Sequence, residues 1–380
     1  MLSGKLIRIF TRNFANQTCT GKINSPLMKS VLSGFNSYCP KIIDQSLEKV
    51  SFVTKDIRAR IKKFSEYYTI GRYPVQGEFM VMAYEALNND LTINDELINK
   101  LQVMVSTTEM VQSYFFIWDD LADNSTERGG KPCWHLLDDT GFIAFSDACI
   151  MRSFINEIIR QNFNGEMCAN ILSVYDKVYF VSSVGQYMEV EISRSRNYDN
   201  YNMELLTMLN NLKSSFYSIK SPLLLALALS NKLNKASYDV VDDVGLEIGA
   251  LIQYHNDLLD FYNEKGAINV CKSSTDIQEG KFTWVATAFL ENCNSEQRRI
   301  FLENFGSADP EKVKRIIEVY DEVDITKLYK QEQQKCFDAF NKKVSKLPKN
   351  SIPSPEFFKS FQNLIRYYSQ DTKNFMYDKN

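Results

Sequence analysis

The placement of proline is the feature that most constrains the fold of this 380-residue chain. Its nine prolines leave three long proline-free tracts, 75–131, 133–221 and 223–309. Such tracts favour helices, because a proline inside a helix costs about 3 kcal/mol. Apolar residues in these tracts recur at helical spacing, from Met104 to Trp118 and again from Leu246 to Ile252. No stretch alternates as a strand does, so we expect one large all-α domain from residue 44 to residue 380.

Composition narrows the function classes. Hydrophobic residues make up 44% of the chain and aromatic residues 13%, enough for a large core and an aromatic-lined cavity. The net charge is −3, so the chain does not have the excess of basic residues that is typical of a nucleic-acid-binding protein. Eight cysteines form no CxxC pair and are expected to be reduced core residues. With only His135 and His255, imidazole zinc sites and Ser-His-Asp chemistry have too few residues, so any metal site must use carboxylates.

Residues 1–43 contain no Asp or Glu. On a helical wheel Lys5, Arg8 and Arg12 share one side and apolar residues share another, which is typical of a mitochondrial transit peptide. The alternative is a disordered basic tail on a cytoplasmic protein. No apolar run approaches the ~20 residues that span a bilayer, so we expect no stable membrane insertion.

Two acidic groups are candidate metal sites. Asp119, Asp120 and Asp123 end a strongly apolar segment, and Asp119 and Asp123 lie one helical turn apart, where their oxygens can share a hard cation. A solvated helix end is the alternative, but the residues before the group are too apolar for an exposed helix. Further on, Asn256, Asp260 and Glu264 follow an i, i+4, i+8 spacing that forms a second stripe.

Two facing acidic helices without a catalytic histidine suit one chemistry. Several Mg²⁺ ions bound to them would neutralise the charge that develops on a departing diphosphate. The carbocation left behind needs protection from water, which an apolar pocket lined by Tyr114, Phe115 and Trp118 would give. For each of these aromatic residues, plain core packing is the alternative.

Four segments resemble the trans-prenyltransferases, farnesyl diphosphate synthase in particular: FFIWDDLADNSTERGGKPCW, GQYMEVEI, LKSSFYSIKSPLLLALAL and STDIQEGKFTWVATAFL. The resemblance runs from about residue 60 to residue 370. It implies an all-α isoprenoid synthase fold with a central active-site cavity, a homodimer, and Mg²⁺ as cofactor, three ions with Mn²⁺ as a substitute. It also implies that Asp119 and Asp123 are metal ligands and that Arg128 contacts the allylic diphosphate. The lysines that would grasp the diphosphate are Lys213, Lys272 and Lys281.

The chain departs from the family pattern where isopentenyl diphosphate would bind. The family's arginine pair reads Arg128-Gly129, the loop from Gly71 to Gly77 lacks a family arginine, and the tail after Tyr367 is not basic. Gln112, a family substrate contact, is retained, and Arg72 is placed to replace a lysine of the loop. The second aspartate-rich motif has become NDLLD followed by Glu264, similar to the NSE triad of terpene synthases. This combination resembles the insect terpene synthases that descended from farnesyl diphosphate synthase.

The resulting hypothesis is a sesquiterpene synthase, a lyase that ionises farnesyl diphosphate and cyclises the cation, for pheromone or volatile production. Its catalytic residues would be Asp119, Asp123, Arg128 and Lys213. The first alternative is a working prenyltransferase that condenses isopentenyl diphosphate with an allylic diphosphate. The second is a non-catalytic partner subunit.

Overall fold

The computed structural model describes residues 25–88, 90–266 and 274–370, with the backbone alone for 367–370. This part of the chain is helical apart from loops and one two-stranded hairpin, which confirms the all-α prediction. It divides into two compact units. The first unit comprises the described residues up to Trp118, together with Phe142–Leu172 and Leu225–Asn231. The second unit comprises Asp119–Gly141, Ser173–Leu224 and the described residues from Lys232 onward.

The first six helices of the described chain begin in the first unit. They are α1 Pro26–Leu32, α2 Phe35–Glu48, α3 Lys55–Tyr67, α4 Val75–Leu87, α5 Asp95–Ala122 and α6 Ala144–Asn162, with a 3-10 turn at Gly141–Ile143 before α6. The predicted boundary between residues 43 and 44 lies inside α2, and α1 buries Leu27, Met28 and Val31. Residues 1–24 lie outside the described residues, so the leader and the domain boundary remain predictions.

A buried carboxylate organises the start of α4. Pro74 precedes this helix and has no side chain that accepts a hydrogen bond, so its first N–H groups need another partner. Glu109 of α5 supplies it, because one of its oxygens accepts from the backbone N–H groups of Gln76 and Gly77 at 3.0 Å each. Burial raises the pKa of Glu109 to about 7, although Arg72 and the two N–H groups oppose the shift.

The second unit contains α10 Lys235–Glu264 and, from Ser173 onward, the long helix α7 Gly165–Ser195. Between them in sequence lie a 3-10 turn Tyr198–Asn200, α8 Met203–Asn210, a π-helical segment Asn211–Lys220 and α9 Ser221–Leu229. The chain continues with α11 Asp276–Glu279, α12 Trp284–Asn292, α13 Ser295–Asn304, α14 Pro310–Glu322, α15 Ile325–Lys346 and α16 Pro355–Gln370. Capping boxes begin α10, from Asn234 and Ser237, and α13, from Asn294 and Gln297.

A short hairpin follows the first acidic group. Strand β1 Glu127–Arg128 pairs with β2 Lys131–Pro132, and a 3-10 turn at Trp134–Leu136 comes next. The two linking residues, Gly129 and Gly130, have φ angles of 63° and 74°. A two-residue turn of this kind needs positive φ at both positions, which glycine adopts without strain.

In the part of the chain that the structure describes, no helix is long and apolar enough to cross a membrane.

Candidate active site

The end of α5 and the hairpin together hold the first acidic group. Arg128 of β1 donates from Nη2 to Oδ2 of Asp119 and from Nε to Oδ1 of Asp120, both at 2.7 Å. Asp120 is fully buried, whereas the side chain of Asp119 keeps 22% of its surface exposed. The tight turn at Gly129 therefore folds Arg128 back onto α5, where it neutralises part of the carboxylate charge.

A carboxylate from α7 completes a candidate metal site. Asp119, Asp123 and Glu189 each offer an oxygen, and these atoms all lie within 4.8 Å of one another. Lys213 from the π-helical segment lies among them: its ammonium donates to Glu189 and lies 3.3 Å from Oδ1 of Asp119. The structure thus brings Asp119, Asp123 and Lys213 together and adds Glu189 to them.

A second lysine approaches from the segment around α11. Lys281 donates to Oδ2 of Asp123 at 2.6 Å and lies 3.1 Å from Oδ1 of Asp276. We call these residues the acidic cluster; its eight members are Asp119, Asp120, Asp123, Glu189, Asp276, Arg128, Lys213 and Lys281.

Burial and mutual charge set the protonation of this cluster. Burial raises the pKa of Glu189, while Lys213 opposes the shift and Asp123 adds to it. Burial alone would lower the pKa of Lys213, but the charges of Glu189, Asp119 and Asp123 outweigh burial and raise it. The pKa of Lys281 is raised in the same way, by Asp123 and Asp276 against burial. Both lysines are therefore ammonium ions at neutral pH, held by carboxylates that retain an excess of negative charge.

The second predicted stripe is less uniform than its spacing indicates. Asn256 is exposed, Asp260 is buried, and Glu264 is half-buried and accepts from Nε2 of Gln278 at 2.8 Å. Burial raises the pKa of Glu264, with a further contribution from Asp276. Among the His, Cys, Asp and Glu side chains that the structure describes, only those of Asp119, Asp123 and Glu189 place three ligand atoms within 4.8 Å of one another. Metal binding by Asn256, Asp260, Glu264 and Asp120 remains a prediction.

The donor set of the acidic cluster fits Mg²⁺. Carboxylate oxygens are the hard ligands that this ion prefers, and one oxygen from each of three carboxylates lies within 4.8 Å of the others, so Asp119, Asp123 and Glu189 would be the residues that hold it.

The predicted aromatic residues lie in the first unit. Tyr114 is buried, and its ring centroid lies 5.0 Å from that of Phe115 and 6.3 Å from that of Trp118. Arg72 lies over the ring of Phe116 at 4.6 Å. Gln112 is partly buried. The substrate roles of Tyr114, Phe115, Trp118 and Gln112 remain predictions, and Lys272 lies outside the described residues.

Sequence reasoning missed two acids of the cluster. Glu189 belongs to the GQYMEVEI segment and Asp276 to the STDIQEGK segment. Both segments carry the resemblance, but their spacing does not distinguish these two acids from other acidic residues. The structure identifies Glu189 because it is buried on α7 together with Gln186.

Proteins of known activity resemble the chain over most of its length. It is 27% identical to a farnesyl pyrophosphate synthase of Nezara viridula over 82% of this chain and 77% of the relative. It is 28% identical to a geranyl diphosphate synthase of Ips pini over 87% of this chain and 82% of the relative. It is 27% identical to a bifunctional chrysanthemol synthase of Tanacetum cinerariifolium over 83% and 81%, respectively.

Solved structures support the predicted fold type. A T. brucei farnesyl diphosphate synthase complexed with a bisphosphonate matches with a TM-score of 0.78 and 22% identity, covering 89% of this chain and 97% of that one. A risedronate complex of the T. brucei synthase matches with a TM-score of 0.77 and 21% identity, covering 87% and 96%. The isoprenoid synthase fold is therefore confirmed.

The prediction of a sesquiterpene synthase and of a lyase was wrong. The relatives above are named mainly as synthases of farnesyl and geranyl diphosphate, which are transferases. The prediction had relied on missing cations, and the structure gives one of them another cause: Gly129 occupies a turn position with φ of 63°, which an arginine would adopt only with strain. The loop that contains Arg72 retains one positive charge, the guanidinium of Arg72 itself. The tail from residue 371 lies outside the described residues.

The family follows from a match to a family model. The model of the family described as polyprenyl synthetase matches residues 58–323, well over half of the chain, and this range contains the whole acidic cluster. The protein is therefore an enzyme of the prenyltransferase type and belongs to the polyprenyl synthetase family.

Proposed function

We propose that this protein is a prenyl diphosphate synthase that condenses isopentenyl diphosphate with an allylic diphosphate. The observation that carries the proposal is the acidic cluster, in which three carboxylate oxygens within 4.8 Å of one another are interleaved with Lys213 and Lys281. The names of the relatives support the same reaction. The C–O bond of the allylic diphosphate breaks, a C–C bond forms to isopentenyl diphosphate, and diphosphate and a proton leave.

The charged side chains of the cluster have distinct tasks in this reaction. Arg128, Lys213 and Lys281 are permanent cations that converge on one region of the second unit, and a multiply charged diphosphate needs several such donors. Asp119, Asp123 and Glu189 hold these cations in place through ion pairs. The lysines and the arginine would orient the allylic diphosphate and stabilise the charge that develops on it as the C–O bond breaks.

Mg²⁺ is the cofactor in this proposal, and Asp119, Asp123 and Glu189 are the residues that would hold it. Bound Mg²⁺ would supply Lewis-acid neutralisation of the departing diphosphate. The number of ions, three by the family resemblance, and the use of Mn²⁺ in place of Mg²⁺ are parts of the proposal.

A two-substrate assay tests the proposal. Purified protein is given geranyl diphosphate and radiolabelled isopentenyl diphosphate with Mg²⁺, and the products are extracted before and after phosphatase treatment. A longer allylic diphosphate that forms only with both substrates and disappears with EDTA is the expected result. Release of a hydrocarbon or alcohol from an allylic diphosphate alone, without elongation in the two-substrate tube, would refute it. Product chain length is read from the same extracts.

We also propose that the protein is a homodimer. Helix α7 exposes Phe180, Val184 and Tyr187, three apolar side chains at helical spacing, with 71% of Phe180 and 65% of Tyr187 accessible. Light scattering after size exclusion tests this proposal: Phe180→Glu with Tyr187→Glu should halve the mass, and a monomeric wild type would contradict it.

Mitochondrial targeting by residues 1–43 is a further proposal, tested by the location of a fluorescent protein that carries this segment.

A further inference from the structure

The π-helical segment that carries Lys213 passes unusually close to α7. A methyl group added to Gly185 of α7 would lie 2.3 Å from the backbone nitrogen of Lys213 and 2.6 Å from its Cα. Real Cβ atoms essentially never come within 3.0 Å of such neighbours. The atoms in the way belong to the backbone, which has no rotamer to change, so any side chain at position 185 must push the two segments apart.

Gly185 and Glu189 act on opposite ends of the same lysine. They stand four residues apart on α7 and therefore share one face of the helix. At Gly185 that face meets the backbone of Lys213, and at Glu189 it meets the ammonium group of the same residue. The absence of a side chain at Gly185 thus sets how closely the backbone of Lys213 approaches α7. The carboxylate of Glu189 sets the position of the ammonium group of Lys213.

The other side of the π-helical segment is held in a similar way. A methyl group added to Gly249 of α10 would lie 2.3 Å from Cβ and 2.9 Å from Cα of Ser215, two residues after Lys213. The segment is therefore fixed between two helices at distances that allow no side chain on either glycine. A π-helical stretch of this kind often marks a functional position in a helix.

We propose that Gly185 is a positioning residue for Lys213, which allows the backbone of the π-helical segment close enough to α7 for the ammonium to reach the acidic cluster and a bound diphosphate. The inference rests on the proposed function, because it assumes that Lys213 contacts diphosphate. Gly185 itself touches neither substrate nor metal and acts only through the position of Lys213.

A double-mutant cycle tests this role. Gly185→Ala, Lys213→Ala and the double variant are compared with wild type for the Kd of inorganic pyrophosphate at saturating Mg²⁺ and for the KM of geranyl diphosphate. One lost charge-assisted contact corresponds to roughly a 10- to 100-fold rise in Kd. We expect a rise of this size in each single variant and no more than about a further 2-fold rise in the double variant, because both changes remove the same contact.

Gly245→Ala is the matched control. Position 245 lies on α10 and faces the same π-helical segment, but an added methyl group would meet only the flexible stem of Lys220, at 3.0 Å from its Cγ. This variant should bind pyrophosphate as the wild type does. Circular dichroism and urea unfolding of all variants separate a local shift of Lys213 from loss of fold.

The outcomes distinguish the two levels of the argument. If Lys213→Ala leaves pyrophosphate affinity unchanged, the assumed role of Lys213 is wrong and the inference falls with it. If Lys213→Ala weakens binding but the cycle is additive, or Gly185→Ala binds as wild type, the positioning role alone is wrong. Should Gly185→Ala not fold, Gly249→Ala takes its place in the cycle, since it displaces the same segment from the α10 side; additivity there would equally overturn the proposal.

Discussion

Replacing Lys213 by methionine should change the affinities for Mg²⁺ and for pyrophosphate in opposite directions. The ammonium of Lys213 lies among the oxygens proposed to hold Mg²⁺, paired with Glu189 and 3.3 Å from Asp119. It therefore competes with the metal for the same ligands, while it adds to the positive charge that a diphosphate needs. Methionine keeps the length and apolar stem of the side chain and removes only the charge.

The magnitude follows from the distances. Two unit charges 3.3 Å apart attract by about 5 kcal/mol at an effective dielectric constant of 20, and desolvation of the ammonium offsets much of this. A net loss of about 1.5 to 3 kcal/mol for one charged contact is typical, which corresponds to roughly 10- to 100-fold in Kd. We expect pyrophosphate binding to weaken by this factor and Mg²⁺ binding to tighten by about 10-fold.

The metal-free variant should also be less stable than the wild type. Burial already raises the pKa of Glu189 while Lys213 opposes it, so without the lysine the carboxylate stays buried with less compensation. Removing one partner of a buried ion pair costs about 3 to 5 kcal/mol, and we expect the lower end because Arg128 still neutralises Asp119. Saturating Mg²⁺ should restore most of this loss through binding to the folded state.

Titration calorimetry measures both affinities, first with MgCl₂ alone and then with pyrophosphate at fixed Mg²⁺. Thermal unfolding with and without Mg²⁺ measures the stability. Lys235→Met is the control, because Lys235 pairs with Asp239 on an exposed face of α10 and its side chain is 88% accessible. The reasoning is refuted if Lys213→Met weakens Mg²⁺ binding, or if it leaves pyrophosphate binding unchanged.

Three further changes test other parts of the structure. Between pH 4.5 and about 7 the folded chain holds a proton on Glu109 that the unfolded chain has released, so the free energy of unfolding falls as pH rises through this window. Glu109→Gln, which keeps the cap on α4, should abolish about 2.5 kcal/mol of that decline in urea unfolding at pH 5 and pH 8, and equal pH dependence in both proteins would contradict this. Asp123→Asn removes a proposed metal ligand and the ion-pair partner of Lys281, so the rate of condensation should fall by at least about 100-fold with unchanged helical content. Near-normal turnover at saturating Mg²⁺ would exclude Asp123 as a ligand. Gly129→Arg places a side chain at φ of 63°, which should cost about 1 to 2 kcal/mol of stability and weaken binding of the allylic diphosphate, because Arg128 is displaced. If the variant instead binds isopentenyl diphosphate more tightly, the turn tolerates the arginine.

The parts of the site that depend on local spacing were predictable from sequence. Asp119 and Asp123 lie one turn apart at the end of α5, and ordered motifs identified Lys213 and Lys281. Glu189 was not predictable in the same way, because α7 also carries Glu191 two residues later. Residues two apart point to nearly opposite sides of a helix, and only packing decides that Glu189 is buried while Glu191 is exposed.

The error about function had a different physical origin. The prediction treats a missing arginine as a lost ligand, but the backbone conformation at Gly129 also restricts the residue type. The turn between β1 and β2 needs positive φ, and that need is invisible in the sequence until the hairpin is known. The same limit applies to the second stripe, where an i, i+4, i+8 spacing does not reveal that Asn256 is exposed and Asp260 is buried.

The charges of the acidic cluster predict that metal and diphosphate bind together under the proposed function. Its five carboxylates outnumber its three basic groups, so the cluster carries a formal charge of about −2 and should repel an anionic diphosphate on its own. Under the proposed function, divalent cations bound at the oxygens that also pair with Lys213 and Lys281 would reverse that sign. The excess of acidic groups would then make the affinity for diphosphate depend on the metal, and the two lysines would offset part of the negative charge when neither metal nor diphosphate is bound.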